Sequence, residues 1–428
     1  MINPISYTDK VVRDFLRYQL TAYPFTDPGL RSQMRRLLSI EHISRTPLMK
    51  GTFITLSKPF ADGDTVASLC GPDAGQLHPH LTQLHPYESL YGHQARAIKH
   101  VLAGKSVLVS TGTGSGKTEA FLYPIISKGL RLRDQGAPAG ISAVIIYPMN
   151  ALAEDQLDRL RELLVGTGVS FGMYVGKTPE TPERVTGKRL AANASKADYQ
   201  AAIRQRDAED EAYAIHPPEE RPSRQEMREN PPRILLTNVK QLELLLTRQK
   251  DIELFSKATL DFLVVDEAHT FSGVPGAETA VLLRRLKSFC GKADAGVSCI
   301  ATSATISDPE RGAEAGREFV SRFFGVASDK VEVVTEEYRD DEWAPTRRVP
   351  APPADPASNL HTVLELLEEE DPSSRIDLFF RTLTGERLDA ARWKESLFER
   401  LSSNELVYQL AAMLRAPMPL ESVLEELG

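Results

Sequence analysis

The stretch 110-STGTGSGKTEAF-121 decides how the rest of the chain is read. Glycines at 112, 114 and 116 sit among hydroxyl side chains, a composition that suits neither a stable helix nor a strand throughout. The preceding "SVLVS" (106–110) reads as an apolar strand, and "KTEAFLYPIISKGL" (117–130) reads as a helix. A tight glycine loop between the two lets backbone N–H groups converge on phosphate oxygens, because no Cβ blocks the approach. The helix N-terminus adds unpaired donors and the positive end of its dipole. In that setting Lys117 is expected to reach the β- and γ-phosphates, and the Thr118 hydroxyl to ligate Mg²⁺. The strict pattern wants glycine at the first loop position, where this chain has Thr111.

A second signal lies downstream, 263-LVVDEAHTF-271. Here an apolar strand ends in two acids. Two solvated carboxylates at a strand end are common. Beside a phosphate loop they acquire roles: Asp266 would hold Mg²⁺ through water, and Glu267 would orient and polarise an attacking water. The two signals belong to one pattern. Between about 86 and 335, "SVLVST", "AVIIYP", "RILLT", "DFLVV" and "SCIATSAT" recur as short apolar runs, each followed by loop or helix signals. That alternation predicts an α/β fold with a parallel sheet between helices.

Working outward, residues 1–85 read as an accessory segment. It has a basic helix at "GLRSQMRRLLSIEH", with Arg35 and Arg36, and a short strand in "GTFITLSKPF". His78, His80 and His85 lie in a turn-rich segment, two of them before prolines and without a clear fourth ligand, so they are not read as a metal site. Residues 177–232 interrupt the alternation. Charged, Ala-rich and with prolines near the end, they are expected to form a solvent-exposed helical insertion. Prolines mark 336–358 as a linker, and 359–428 read as helical.

The 428 residues carry a formal net charge of −8, with 41% hydrophobic and 26% charged residues. That is ordinary globular composition, and the acidic sum does not exclude nucleic acid, which binds local basic patches. Three cysteines without short paired spacing argue against a disulfide framework or a cysteine zinc site. The start lacks an apolar signal core and no run of 18 apolar residues appears, so a cytoplasmic location is expected.

Taken in order along about 215 residues, these motifs resemble superfamily 2 helicases of the DEAH/DExH kind. Tyr91-Gly92-His93-Gln94 resembles the adenine-reading Q motif and "TGTGSGKT" motif I. "YPMNALAEDQ" and "TNVKQLELLL" resemble motifs Ia and Ib, "DEAH" motif II and "TSAT" motif III. "PMNALAEDQ" and "DEAHTFSGVPGAETAVLLRRL" carry a finer similarity to the bacterial Lhr-like and MrfA-like branch, some members of which serve DNA repair or anti-phage defence. The resemblance implies a RecA-like ATP-binding domain. Its nucleotide contacts would be Tyr91, Gln94, Thr111, Gly112, Thr113, Gly114, Ser115, Gly116, Lys117, Thr118 and Glu119. A Gln amide donates and accepts at once, matching the N6/N7 edge of adenine, and Tyr91 or Tyr87 could pack on the base. Asn150, Gln156, Thr237 and Asn238 would face nucleic acid, with Lys177 and Lys240 nearby. Thr237 and Asn238 are also placed to cap the helix that follows. His269, Ser303 and Thr305 would couple hydrolysis to that face.

The family's motor uses two RecA-like domains, the second supplying an arginine from a "QxxGRxGR"-like motif. These 428 residues contain no such motif. The expectation is an N-terminal part of a longer protein, or a chain whose partner subunit brings the second RecA-like domain. Three functions are compatible: an ATP-dependent 3′-to-5′ helicase or translocase acting on single-stranded or duplex DNA, with RNA also open; an ATP-gated nucleic-acid-binding subunit without unwinding activity; and an unrelated phosphate-loop NTPase.

Overall fold

The computed structural model describes residues 53–339, apart from 57, 74, 86, 88, 113, 209–212, 294, 295 and 305–311, together with parts of 10–37 and 372–427. Two compact units emerge, residues 60–339 and the remainder at both ends of the chain.

The larger unit is built on seven parallel strands: β1 (Ser106–Ser110), β2 (Ala143–Ile146), β3 (Phe171–Tyr174), β4 (Ile234–Thr237), β5 (Phe262–Val265), β6 (Ser298–Ser303) and β7 (Val331–Thr335). Their order across the sheet is β7-β1-β6-β5-β2-β4-β3. Nearly every residue of the five central strands is buried, so each strand reads as a continuous apolar run. Strand periodicity divides these residues between two cores. Val107, Val109, Ile145, Leu236 and Val264 point into one. Leu108, Val144, Ile146, Leu235, Leu263 and Val265 point into the other.

Helices cover both faces. On the first lie α1 (Gly92–Leu102), α2 (Lys117–Asp134) and α3 (Asn150–Leu164). On the second lie α4 (Val239–Leu245), α5 (Gly273–Phe289) and α6 (Gly312–Phe324). The α6 helix lies close to the sheet at Gly316, where a Cβ would stand 2.7 Å from a methyl of Leu108. The expected α/β parallel-sheet architecture is therefore observed.

Three segments differ from their expected form. Residues 60–85 lie in the same compact unit as the sheet, and Leu77 and Leu81 are fully buried in its core. The insertion holds helices at Lys196–Ala208 and Arg224–Glu229, but also a parallel strand pair, Lys188–Arg189 with Ile215–His216. The smaller unit contains the helices Pro28–Leu37, Pro372–Thr384, Trp393–Ser403, Glu405–Met413 and Leu420–Leu427. It also has an antiparallel pair, Phe53–Ile54 with Met418–Pro419, which is the described part of the expected 51–60 strand. Most of the expected linker, 340–358, and the helix start expected at 359–371 lie outside the described residues.

Besides a small apolar cluster of Tyr199, Ala202 and Ile215 with Val165, a buried ionic group anchors the insertion. Arg161 on α3 holds Glu220 through both nitrogens of a fork, Nη2 at 2.7 Å and Nε at 2.8 Å. His216 Nδ1 lies 2.9 Å from the same carboxylate, and all three side chains are buried. Burial alone would raise the Glu220 pKa, but the His216 and Arg161 hydrogen bonds outweigh it and hold the group below its ordinary value. A depressed folded-state pKa stabilises above the unfolded value, about 4.3, and that contribution is lost as pH falls through the folded value. Removing one partner strands a buried charge. Glu220→Ala is expected to cost about 3–5 kcal/mol in urea unfolding at pH 7 and to flatten the acid limb of the stability curve. A loss below about 1 kcal/mol, as for an exposed pair, would contradict this anchoring.

Candidate nucleotide site and nucleic-acid face

Parallel register brings the carboxyl ends of β1, β5 and β6 to one edge: Ser110 pairs with Ser303, and Val265 with Ala301. The glycine loop leaves β1 there and turns into α2. Gly114 and Gly116 have φ of +79° and +71°, a left-handed backbone that favours glycine. Thr111 has no such requirement. Its Oγ1 lies 2.6 Å from Ser115 Oγ, and its N–H donates to Ser303 O at 3.0 Å. The departure from glycine at 111 therefore ties the loop across its own base. Thr113 lies outside the described residues.

Lys117 Nζ, nine-tenths buried, lies 3.2 Å from Thr111 O and 3.5 Å from Glu267 Oε1. Glu267 is one of two non-glycine residues with positive φ among those described, at +49°. Left-handed backbone costs a non-glycine residue about 1–3 kcal/mol, and here it sits at the strand end where chemistry is expected. Asp266 is half-buried beside it. Burial raises its pKa, opposed by the Thr302 hydroxyl that donates to Oδ1; the Glu267 charge adds to the rise. His269 Nδ1 reaches both Glu267 Oε2 at 3.3 Å and Ser303 Oγ at 3.4 Å, so the expected contact between His269 and Ser303 is present. Thr305 lies outside the described residues.

Oxygen donors alone, the Asp266 carboxylate and the Thr118 hydroxyl, suit a hard cation such as Mg²⁺. Among the described residues no three His, Cys, Asp or Glu side chains form a ligand group, so phosphate oxygens and water would have to complete the cation's shell.

Several expected contacts take a different form. Gln94 is buried with both ends of its amide engaged: Oε1 accepts from Tyr91 N and Nε2 donates to Gly116 O, each at 2.8 Å. Adenine recognition and this brace compete for one amide. Glu119 is paired with Arg159 of α3 and accepts from Gln94 Nε2 beside the loop. Tyr91 packs in an aromatic group with Phe60, His93 and, through Phe60, Tyr338. Tyr87 instead stands edge-on to His85. Gly112 N donates to Glu336 Oε2 at 2.8 Å, a contact that nothing in the motif order signals.

On the second part of the edge, Asn238 caps α4 by accepting from Gln241 N at 2.8 Å, and its Nδ2 donates to Asn150 Oδ1 at 2.8 Å. The capping expected of Asn238 is present, and the two motifs are bonded to each other. Thr237 is fully buried, with its hydroxyl donating to Tyr174 O at 2.7 Å. As the last residue of β4 it faces inward, so its side chain is not presented to a nucleic-acid strand. Gln156 is half-buried, and its Oε1 has no protein partner. Lys177 is paired with Glu154, whereas Lys240 and Arg285 line an open cavity of about 1120 Å³ with Asn150 and Asn238.

Residues 91–311, just over half of the chain, match the family described as DEAD/DEAH box helicase. The chain belongs to that family. Druantia protein DruE of Escherichia coli is 31% identical to this chain over 389 residues, covering 71% of the chain and 21% of DruE. The uncharacterized ATP-dependent helicase YprA of Bacillus subtilis is 28% identical over 225 residues, 52% of the chain and 24% of YprA. A crystal structure titled as DUF1998 helicase MrfA bound to DNA aligns with 82% of the chain and 42% of MrfA, at 20% identity and a TM-score of 0.46. The family match bears out the helicase resemblance expected from the order of the motifs. The chain spans about a quarter or less of the length of these two curated relatives. No helix among the described residues is long and apolar enough to cross a membrane.

Thr302 is the residue that motif reading passed over. Its Oγ1 accepts from Glu267 N at 3.1 Å while donating to Asp266, so one hydroxyl spans both acids. "TSAT" directs attention to Ser303 and Thr305, yet the first threonine makes the shared contact. A hydrogen bond to a charged group contributes about 1.5–3 kcal/mol. Thr302→Val is therefore expected to lower kcat for ATP about 10- to 100-fold with KM little changed, in steady-state hydrolysis by the full-length protein. An unchanged kcat would remove Thr302 from the site.

Proposed function

We propose that this chain carries the ATP-binding part of a DNA helicase or translocase that moves 3′-to-5′. The pathway in this proposal is DNA repair or defence against phage, as in the branch it resembles. The observation that supports it most is the meeting of Lys117 with Glu267, beside the half-buried Asp266, at the carboxyl ends of β1 and β5, which flank β6. Lys117 and the loop N–H groups would hold the β- and γ-phosphates of ATP, and Thr118 and Asp266 would hold Mg²⁺. The cation, when bound, supplies charge neutralisation on the phosphates. Glu267 would orient and polarise the attacking water, its carboxylate steadied by His269. The arginine that stabilises charge on the transferring phosphoryl group is worth about 10³–10⁵ in rate. The 428 residues lack the motif that supplies it. The chain alone is accordingly proposed to bind ATP–Mg²⁺ and turn it over poorly, with the second RecA-like domain contributed by further chain or a partner.

The nucleic-acid strand would cross the edge at Asn150 and Asn238, contacting phosphates through side-chain and backbone donors, with Lys240 and Arg285 supplying charge. In the complete motor, Glu267→Gln is expected to keep ATP affinity and lose more than tenfold in hydrolysis, because an amide keeps the shape without the charge. Survival of hydrolysis within about tenfold would move the water-orienting role to another residue. For the strand path, the double variant Asn150→Ala, Asn238→Ala is measured by fluorescence anisotropy on single-stranded DNA at two salt concentrations. Weaker binding is expected, with parental affinity falling about 0.7 log units per log salt for each phosphate neutralised. Equal affinity of parent and variant at both salts would put the strand elsewhere.

A further inference from the structure

His93 lies in the first turn of α1 and is fully buried. Its Nε2 stands 2.8 Å from Ser115 O. A carbonyl oxygen can only accept, so Nε2 carries the proton. Nδ1 has no hydrogen-bond partner, and no acceptor awaits a second proton there. Burial holds the imidazole pKa below its ordinary value. The Ser115 hydrogen bond and the nearby Glu336 and Glu337 carboxylates push it up, and Arg96 pushes it down with burial. The group is thus a neutral, fixed donor.

The next residue does the same to the next carbonyl, since Gln94 Nε2 donates to Gly116 O at 2.8 Å. Two consecutive side chains of α1 therefore hold two consecutive carbonyls of the glycine loop. A trans peptide is planar, and its C=O and N–H point in opposite directions. Ser115 C=O shares its plane with Gly116 N–H, and Gly116 C=O shares its plane with Lys117 N–H. Drawing both carbonyls toward α1 turns both N–H groups away from it, toward the open side of the loop. Gly116 completes the fit: with φ of +71°, a Cβ there would lie 2.2 Å from Gln94 Nε2.

We infer that His93 is a positioning residue whose Nε2–H, alongside Gln94, aims the Gly116 and Lys117 N–H groups at the phosphates of the nucleotide. This rests on the ATP-site reading above. The ring also packs against Tyr91 and Phe60, with centroids 5.6 and 5.1 Å away, so a purely structural role has to be separated from the donor role. His93→Phe keeps a ring and removes the donor; His93→Gln keeps a neutral donor at similar reach.

The test is anisotropy of a fluorescent N-methylanthraniloyl ATP with Mg²⁺ on parent, H93F, H93Q and Lys117→Ala, with thermal melting of each. H93F is expected to lose about tenfold in affinity, the scale of one hydrogen bond in a buried loop, and H93Q to recover most of it. Equal affinity of H93F and parent overturns the role of His93, as does an H93Q as weak as H93F. A parent that binds no better than Lys117→Ala overturns the ATP-site reading itself, and this inference with it. Should H93F melt out, ¹⁵N-histidine NMR of the parent decides. A bare Nδ1 with a protonated Nε2 at pH 7 is the expected state. The opposite tautomer or a doubly protonated ring overturns the inference.

Discussion

The parallel register of β1, β6 and β5 is the constraint on which the site depends. Because Ser110 pairs with Ser303 and Val265 with Ala301, the glycine loop, the two acids and Ser303 emerge at one edge within side-chain reach. None of those groups could be brought together by local structure, since Lys117 and Glu267 are 150 residues apart in sequence. What holds the register is apolar burial on both faces of the sheet. A one-residue slip would send each strand's side chains to the opposite core. The polar edge is carried by that alternation and contributes little to it.

Charge at the edge is arranged against its own cost. Asp266 is desolvated, and its carboxyl is pushed up by burial and by Glu267, yet Thr302 and Lys117 pull the other way. Glu267 sits in left-handed backbone, a conformation costing a non-glycine side chain about 1–3 kcal/mol. Both features are unfavourable in a resting protein. Binding an ammonium-held polyphosphate with its cation would relieve the first and use the second. The insertion follows a different logic. Its buried Arg161–Glu220–His216 group ties a short strand pair to α3 without a large apolar core of its own.

Much of this was legible in the sequence. The strand–loop–helix order around "STGTGSGKT" and the acids at the end of "LVV" follow from composition and alternation, and the structure places them together. The part that was not legible is the orientation of polar side chains. Thr237 ends an apolar strand beside a half-buried Asn238, and a one-residue difference in the pleat decides that it faces Tyr174 O rather than solvent. Gln94 carries the atoms that match adenine, but its partners, Tyr91 N–H and Gly116 O, are set by where α1 packs against the loop. The charged 177–232 stretch reads as solvent-exposed because the partner of Glu220 lies 59 residues away on α3.

The central claim is that the loop of residues 111–118 binds a nucleotide through Lys117 and a cation. Isothermal titration calorimetry of ATP into the 428-residue protein, with Mg²⁺ and with chelator, tests it most directly when run beside Lys117→Ala. The account predicts saturable binding that weakens in chelator and disappears in Lys117→Ala. Equal heats for parent and Lys117→Ala, or no binding by the parent under either condition, would contradict it.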